Sequence, residues 1–126
     1  MPRDDRTAVA GAAAADVLCV LVFCAIGRRS HAEGITVAGV VETAWPFLAG
    51  TTFGWLAARA WRRPTALAPT GIVIWLSTVV VGMLLRRATS AGTALSFVVV
   101  ASLSTAILLL GWRLGARGLP RLRRNP

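Results

Sequence analysis

Two carboxylic acids sit where hydrocarbon is expected. Asp16 interrupts the apolar run ADVLCVLVFCAIG, and Glu42 stands four residues before Pro46 in VVETAWPFLAG. A carboxylate inside a bilayer costs roughly 2.5–3.5 kcal/mol on insertion scales, so such groups face a protein interior and mark pathways, relays or interhelical bonds. Proline removes the amide that would bond the carbonyl four residues back, and in this stretch that carbonyl belongs to Glu42. A protonated carboxyl, a hydroxyl or water would then satisfy the freed oxygen. The chemistry on offer is the holding of a proton, a small cation or a polar solute. The alternative is plain structure, in which the two acids hydrogen-bond between helices and Pro46 bends one of them.

The elements that position these acids follow from composition. Of 126 residues 56% are hydrophobic and 15% charged, with mean hydropathy +0.66, which places the chain among membrane proteins. Four segments are long and apolar enough to span, namely 8–27, 35–58, 66–85 and 92–112. Short links join them, so the expected fold is all-α: a polytopic antiparallel four-helix bundle occupying 8–112. Residues 1–7 form a short leading segment and 113–126 a basic tail. Pro69 is expected in the first turn of the third span, where its missing amide would have had no partner.

All 14 basic residues are arginine, and the formal charge is +9. Ten of them fall on the side of the two termini and four on the other, so the positive-inside bias places both ends in the cytoplasm of a bacterial inner membrane. Trp55, Trp61 and Trp112 fall at that boundary. The arginines flank apolar runs and form no basic face on a soluble domain, which argues against nucleic acid. Arg117, Arg121, Arg123 and Arg124 are expected to lie on anionic headgroups.

Counting about 1.5 Å per residue from the outer ends, Asp16 lies about 18 Å deep and Glu42 about 12 Å. Trp45, Trp75, Ser102 and Thr105 are expected at similar depth, in one polar layer with the acids and Pro46. No basic residue falls inside any of the four spans to offset the acids. Two carboxyls in one layer would titrate as a pair. Gly50 with Gly54, and Gly111 with Gly115, form small-residue faces for close helix contact, within the chain or between chains. A homodimer or a membrane partner is the expected assembly.

RRSHAEG and RRATSAG share their arginines and closing glycine, and Gly54-Trp55 recurs as Gly111-Trp112. One doubled hairpin would give this pattern, and so would any two hairpins inserted the same way. Cys19 and Cys24 have neither metal-ligand spacing nor a pairing partner and read as apolar fillers. His31 and Glu33 sit in the first outer loop, where a solvated role competes with a pH-sensing one. No catalytic triad, phosphate loop, metal cluster or cofactor motif is present, so no enzyme and no cofactor is expected.

The stretches DVLCVLVFCAIGRRSH (16–31), TAWPFLAGTTFGWLAAR (43–59) and VVVGMLLRRATSAGTALSFV (79–98) resemble a membrane family catalogued as domain of unknown function 3054, found in actinobacteria and haloarchaea. The resemblance runs over roughly 12–115. It implies a small four-helix integral membrane protein and carries over no catalytic or binding residue. Two functions remain in view: a proton-coupled carrier or permease subunit using Asp16 and Glu42, and an accessory protein that docks on a membrane partner or anionic lipid.

Overall fold

The computed structural model describes residues 2–30, 36–89 and 94–124, and the side chains of 6–28, 36–89 and 94–117. His31 and Glu33, and the side chains of Arg121, Arg123 and Arg124, lie outside the described residues. Regular structure among the described residues is all helical: α1 (Pro2–Ser30), α2 (Val37–Ala58), α3 (Ile72–Ala88) and α4 (Leu95–Arg124). Three stretches, Arg6–Arg28, Leu67–Ala88 and Leu95–Arg117, are helical, long and apolar enough to cross a membrane. The chain is a membrane protein. α2 matches them in length, and its composition is diluted by Glu42, Pro46, Thr43, Thr51, Thr52 and three glycines.

Helix ends follow local chemistry. Thr36 caps α2, its hydroxyl accepting from the Gly39 amide at 3.0 Å. Arg59 closes α2 in the left-handed region at φ 50°, its amide donating to Leu56 O. Ala68 is extended (φ −126°, ψ 136°), as a residue before proline must be. The third helix therefore starts later than residue 66, through a wide turn over Leu67–Gly71 in which the Gly71 amide reaches Ala66 O at 3.0 Å. α4 differs most from expectation. It does not stop at Trp112 but runs on as helix to Arg124, through Gly115, Gly118 and Pro120.

α2 and α3 form the most extensive interface, and glycines make it. A Cβ at Gly50 would stand 2.5 Å from Ser77 O, and one at Gly54 would stand 2.8 Å from Ile74 Cα. A Cβ at Gly82 would strike the Phe47 ring at 2.5 Å. The Gly50/Gly54 face is thus consumed within the chain. Around Gly111 and Gly115 a Cβ would meet nothing within 4 Å. Thr51 and Thr78 touch at 2.7 Å across the same interface, while each also reaches the carbonyl four residues back on its own helix. Two hydroxyl protons serve these three contacts. Trp75 Nε1 donates to Ser102 O at 2.9 Å and ties α3 to α4. Val20, Phe23, Cys24, Ala44, Phe47 and Ala101 form the core, with the Phe23 and Phe47 rings edge to face at 5.4 Å.

Gly50→Ala is expected to destabilise the protein by about 1–3 kcal/mol through overpacking. Gly111→Ala is expected to leave stability unchanged or slightly raised, because Ala outranks Gly in a helix and meets open space. Reversible unfolding in mixed micelles checks both.

Candidate functional site

The buried stripe of α1 steps by four through Ala12, Asp16, Val20 and Cys24. That of α4 steps by four through Ala101, Thr105, Leu109 and Arg113. Residues four apart share a helix face, so each stripe presents one charge to the interior, and the signs are opposite. The structure joins them. Arg113 Nη1 donates to Asp16 Oδ1 and Nη2 to Oδ2, both at 2.8 Å, and both side chains are fully buried. This is the bidentate fork that guanidinium and carboxylate form best.

Two indoles complete the carboxylate. Trp55 Nε1 donates to Oδ2 at 2.8 Å and Trp112 Nε1 to Oδ1 at 2.9 Å. Each oxygen of Asp16 therefore accepts two charge-assisted hydrogen bonds. Arg113 is held from its other side by Leu109 O (Nη1, 3.0 Å) and Pro64 O (Nε, 3.0 Å). Its guanidinium also lies 4.5 Å from the centre of the Trp112 ring. The first turn leading into α3 closes over the arginine stem, where a Cβ at Gly71 would stand 3.0 Å from Arg113 Cδ. α1, α2, α4 and the α2–α3 link all contribute an atom to this knot. Among the described residues no buried side-chain nitrogen or oxygen lacks a partner.

The expected polar layer does not assemble. Asp16 meets Trp55 and Trp112, near the ends of their apolar runs, rather than residues at mid-depth. Glu42 is exposed on α2, thirteen residues and about 20 Å along the helix from Trp55. Trp45 is exposed as well, and Pro46 is buried against the core side. Trp75, Ser102 and Thr105 form their own cluster between α3 and α4, with the Thr105 hydroxyl on Ala101 O at 2.6 Å. The expectation that no basic residue offsets the acids also fails, because Arg113 belongs to the buried part of α4.

Depth counted from loop ends misleads because the helices end at different heights. On α2 and α3, Phe47 meets Gly82, Gly50 meets Thr78 and Gly54 meets Ile74. Five residues further along this register, Glu42 comes level with Arg87 near the end of α3. Arg28, near the end of α1, donates to Thr43 at 3.2 Å, one residue from Glu42. Glu42 thus stands among the outer arginines, near the edge of the helical layer. That is why an apolar helix can carry it.

Comparison with known families adds one finding. The family model described as a protein of unknown function, DUF3054, matches residues 13–116. The chain belongs to this family. The match begins just before Asp16 and ends just after Arg113, so both halves of the ion pair lie within it. No curated protein and no solved structure matched the chain. Among the described residues no group of three or more His, Cys, Asp and Glu is placed to hold a metal. Cys24 is a buried core residue, and Cys19 is half-buried with its thiol 3.5 Å from Leu108 O.

Sequence reading placed Trp55 and Trp112 at the cytoplasmic boundary of the membrane and Arg113 at the head of the basic tail, on the side of the termini. The four-residue steps of the α1 and α4 stripes are the signal that would have paired them. Trp55→Phe and Trp112→Phe each remove one hydrogen bond to a charged acceptor and keep the ring. Each is expected to cost about 1.5–3 kcal/mol in unfolding free energy, whereas Trp61→Phe, exposed on the surface, should cost well under 1 kcal/mol.

Proposed function

We propose that this chain is a four-span inner-membrane protein of structural or accessory kind, without catalytic activity of its own, in which the Asp16–Arg113 clasp holds the helices together and carries no protons. The contact order supports an antiparallel bundle: residue numbers rise along α2 as they fall along α3, and Asp16 to Arg28 runs against Trp55 to Thr43. α2 serves as the fourth span in this reading, supported by its flanking contacts with both α1 and α3. The arginine excess beside the termini supports a cytoplasmic location for both ends.

One observation carries the functional choice. The Asp16 carboxylate is saturated by four donors, one pair of them from a buried cation. A carrier's carboxyl must release and rebind its proton while opening to water, and such a group is poorly served by a dry fork that would have to break at each cycle. Glu42 lies far from it and offers no second carboxyl to share the load. Removing one partner of a buried pair leaves the other charge uncompensated, at about 3–5 kcal/mol. The same geometry that suits Asp16 badly to transport suits it well to holding a bundle. The accessory reading leaves the outer helix faces and the arginine-rich end of α4, from Arg117 onward, for a membrane partner or anionic lipid.

A liposome assay separates the two readings. With a pH-sensitive dye trapped inside and a proton gradient imposed, vesicles containing the protein should lose the gradient no faster than protein-free vesicles, and Glu42→Gln should change nothing. A several-fold faster decay that disappears in correctly inserted Glu42→Gln or Asp16→Asn protein would restore the carrier.

A further inference from the structure

Arg59, Arg62 and Arg63 crowd the link between α2 and α3, and all three are exposed, as is Trp61 among them. Short bonds give this segment a fixed shape. Arg59 turns the chain in the left-handed region, and a single 3-10 turn follows over Ala60–Arg62. The Arg62 amide donates to Arg59 O at 3.0 Å, the Arg63 amide to Ala60 O at 3.1 Å and the Ala66 amide to Arg63 O at 3.2 Å. Such a turn has three residues per revolution. Ala60 is fully buried, so Trp61 and Arg62 are carried to the two outward edges. Pro64 O accepts from Arg113 at 3.0 Å, which pins the link to the clasp.

The height of the link follows from α2. Its 22 residues make a rod of about 33 Å, against a hydrocarbon core of about 30 Å. The link therefore emerges at headgroup level, where an exposed indole is favoured. Its electrostatic surroundings have one sign. The other ionic side chains described at this end are Arg6, Asp16, Arg113 and Arg117; Asp16 and Arg113 are buried against each other, while Arg6 and Arg117 are exposed. Among the described residues no carboxylate meets Arg59, Arg62 or Arg63. Asp4 and Asp5 precede Asp16 by twelve and eleven residues on α1, which carries them about 17 Å along the helix from the clasp that the link touches. Screening at physiological salt acts over about 8 Å, so those two acids leave the charge of the link in place.

We propose that the α2–α3 link is a docking site for anionic phospholipid headgroups, whose phosphate oxygens accept from Arg59, Arg62 and Arg63 while the Trp61 ring lies beside them at the edge of the acyl layer. Two features decide the occupant. Guanidinium offers phosphate a planar fork of donors, and a zwitterionic lipid brings an ammonium group for which the link holds no carboxylate. A soluble phosphate gains nothing from Trp61. The fixed backbone means that little ordering opposes binding. This assignment rests on the four-span reading above, which sets the link at a membrane surface, and it gives the accessory role a lipid contact separate from the end of α4.

Native mass spectrometry of the purified full chain in detergent, titrated with phosphatidylglycerol or phosphatidylcholine, tests it. The unmodified protein is expected to hold phosphatidylglycerol at least fivefold more tightly. Arg59→Gln/Arg62→Gln/Arg63→Gln should bring the two lipids to equal affinity. Arg62→Gln/Arg63→Gln leaves the α2 cap intact and should lose at least half of the preference, so the outcome does not depend on one variant's folding. Arg117→Gln/Arg121→Gln/Arg123→Gln/Arg124→Gln should keep the preference within twofold, and Trp61→Ala should weaken both lipids severalfold. Equal binding of both lipids by the unmodified protein, a preference retained in both link variants, its loss in the tail variant, or displacement of the lipid by millimolar inorganic phosphate would each overturn the proposal. In a Cys19→Ala/Cys24→Ala background, Ala94→Cys should react with a membrane-impermeant maleimide in intact cells and Thr65→Cys only in opened ones. That labelling tests the four-span reading by itself, so its failure is distinguishable from that of the lipid site.

Discussion

A single buried ion pair governs the arrangement of this protein. Asp16 and Arg113 lie ninety-seven residues apart in sequence and meet in a bidentate fork with no exposed surface. Apolar helices in lipid gain little from one another by hydrophobicity, since the surrounding chains are equally apolar. An unpaired charge in that setting is expensive, so the one arrangement that pairs the two stripes is strongly preferred over sliding alternatives. The fork also has direction. Its carboxylate comes from α1, and its four donors and two anchoring carbonyls come from α2, α4 and the link before α3, so making it fixes the relative heights of several elements at once. The glycine interface between α2 and α3 then sets the remaining register by close contact.

From that register the position of the second acid follows. Glu42 does not share a layer with Asp16, because α2 reaches further outward than the helices beside it and Glu42 comes level with Arg87. The two acids answer different demands. One is a closed internal bond near the arginine-rich end, and the other stands exposed among the arginines of the opposite end. Between these ends the molecule changes character, from a saturated polar knot to an aromatic cluster.

Much of the architecture was legible in the residues. Apolar runs of spanning length located all four helices, and the family resemblance was borne out over residues 13–116. Small-residue spacing identified Gly50 and Gly54 as a contact face, which turned out to meet α3 of the same chain. The site was legible only in part. Asp16 was expected to face the bundle interior, where the structure buries it, yet its partner was missed, because an arginine next to an apolar run reads as a topology signal whether or not it turns inward. The recurrence of Gly-Trp at 54–55 and 111–112 was visible, but its consequence was not: both indoles converge on one carboxylate. Helix height was the quantity that sequence could not supply. Loops fix where chains turn, while glycine contacts and the ion pair fix how far each helix slides, and those are tertiary facts.

The most direct measurement is a double-mutant cycle on Asp16→Leu and Arg113→Leu, read as unfolding free energy in mixed micelles. If the pair is the clasp, each single change costs several kcal/mol and the double change costs less than the two together by about 3 kcal/mol or more, because no charge is left stranded. Costs that simply add, or a single change without effect, would mean that the two side chains do not hold one another and that something else keeps the helices in place.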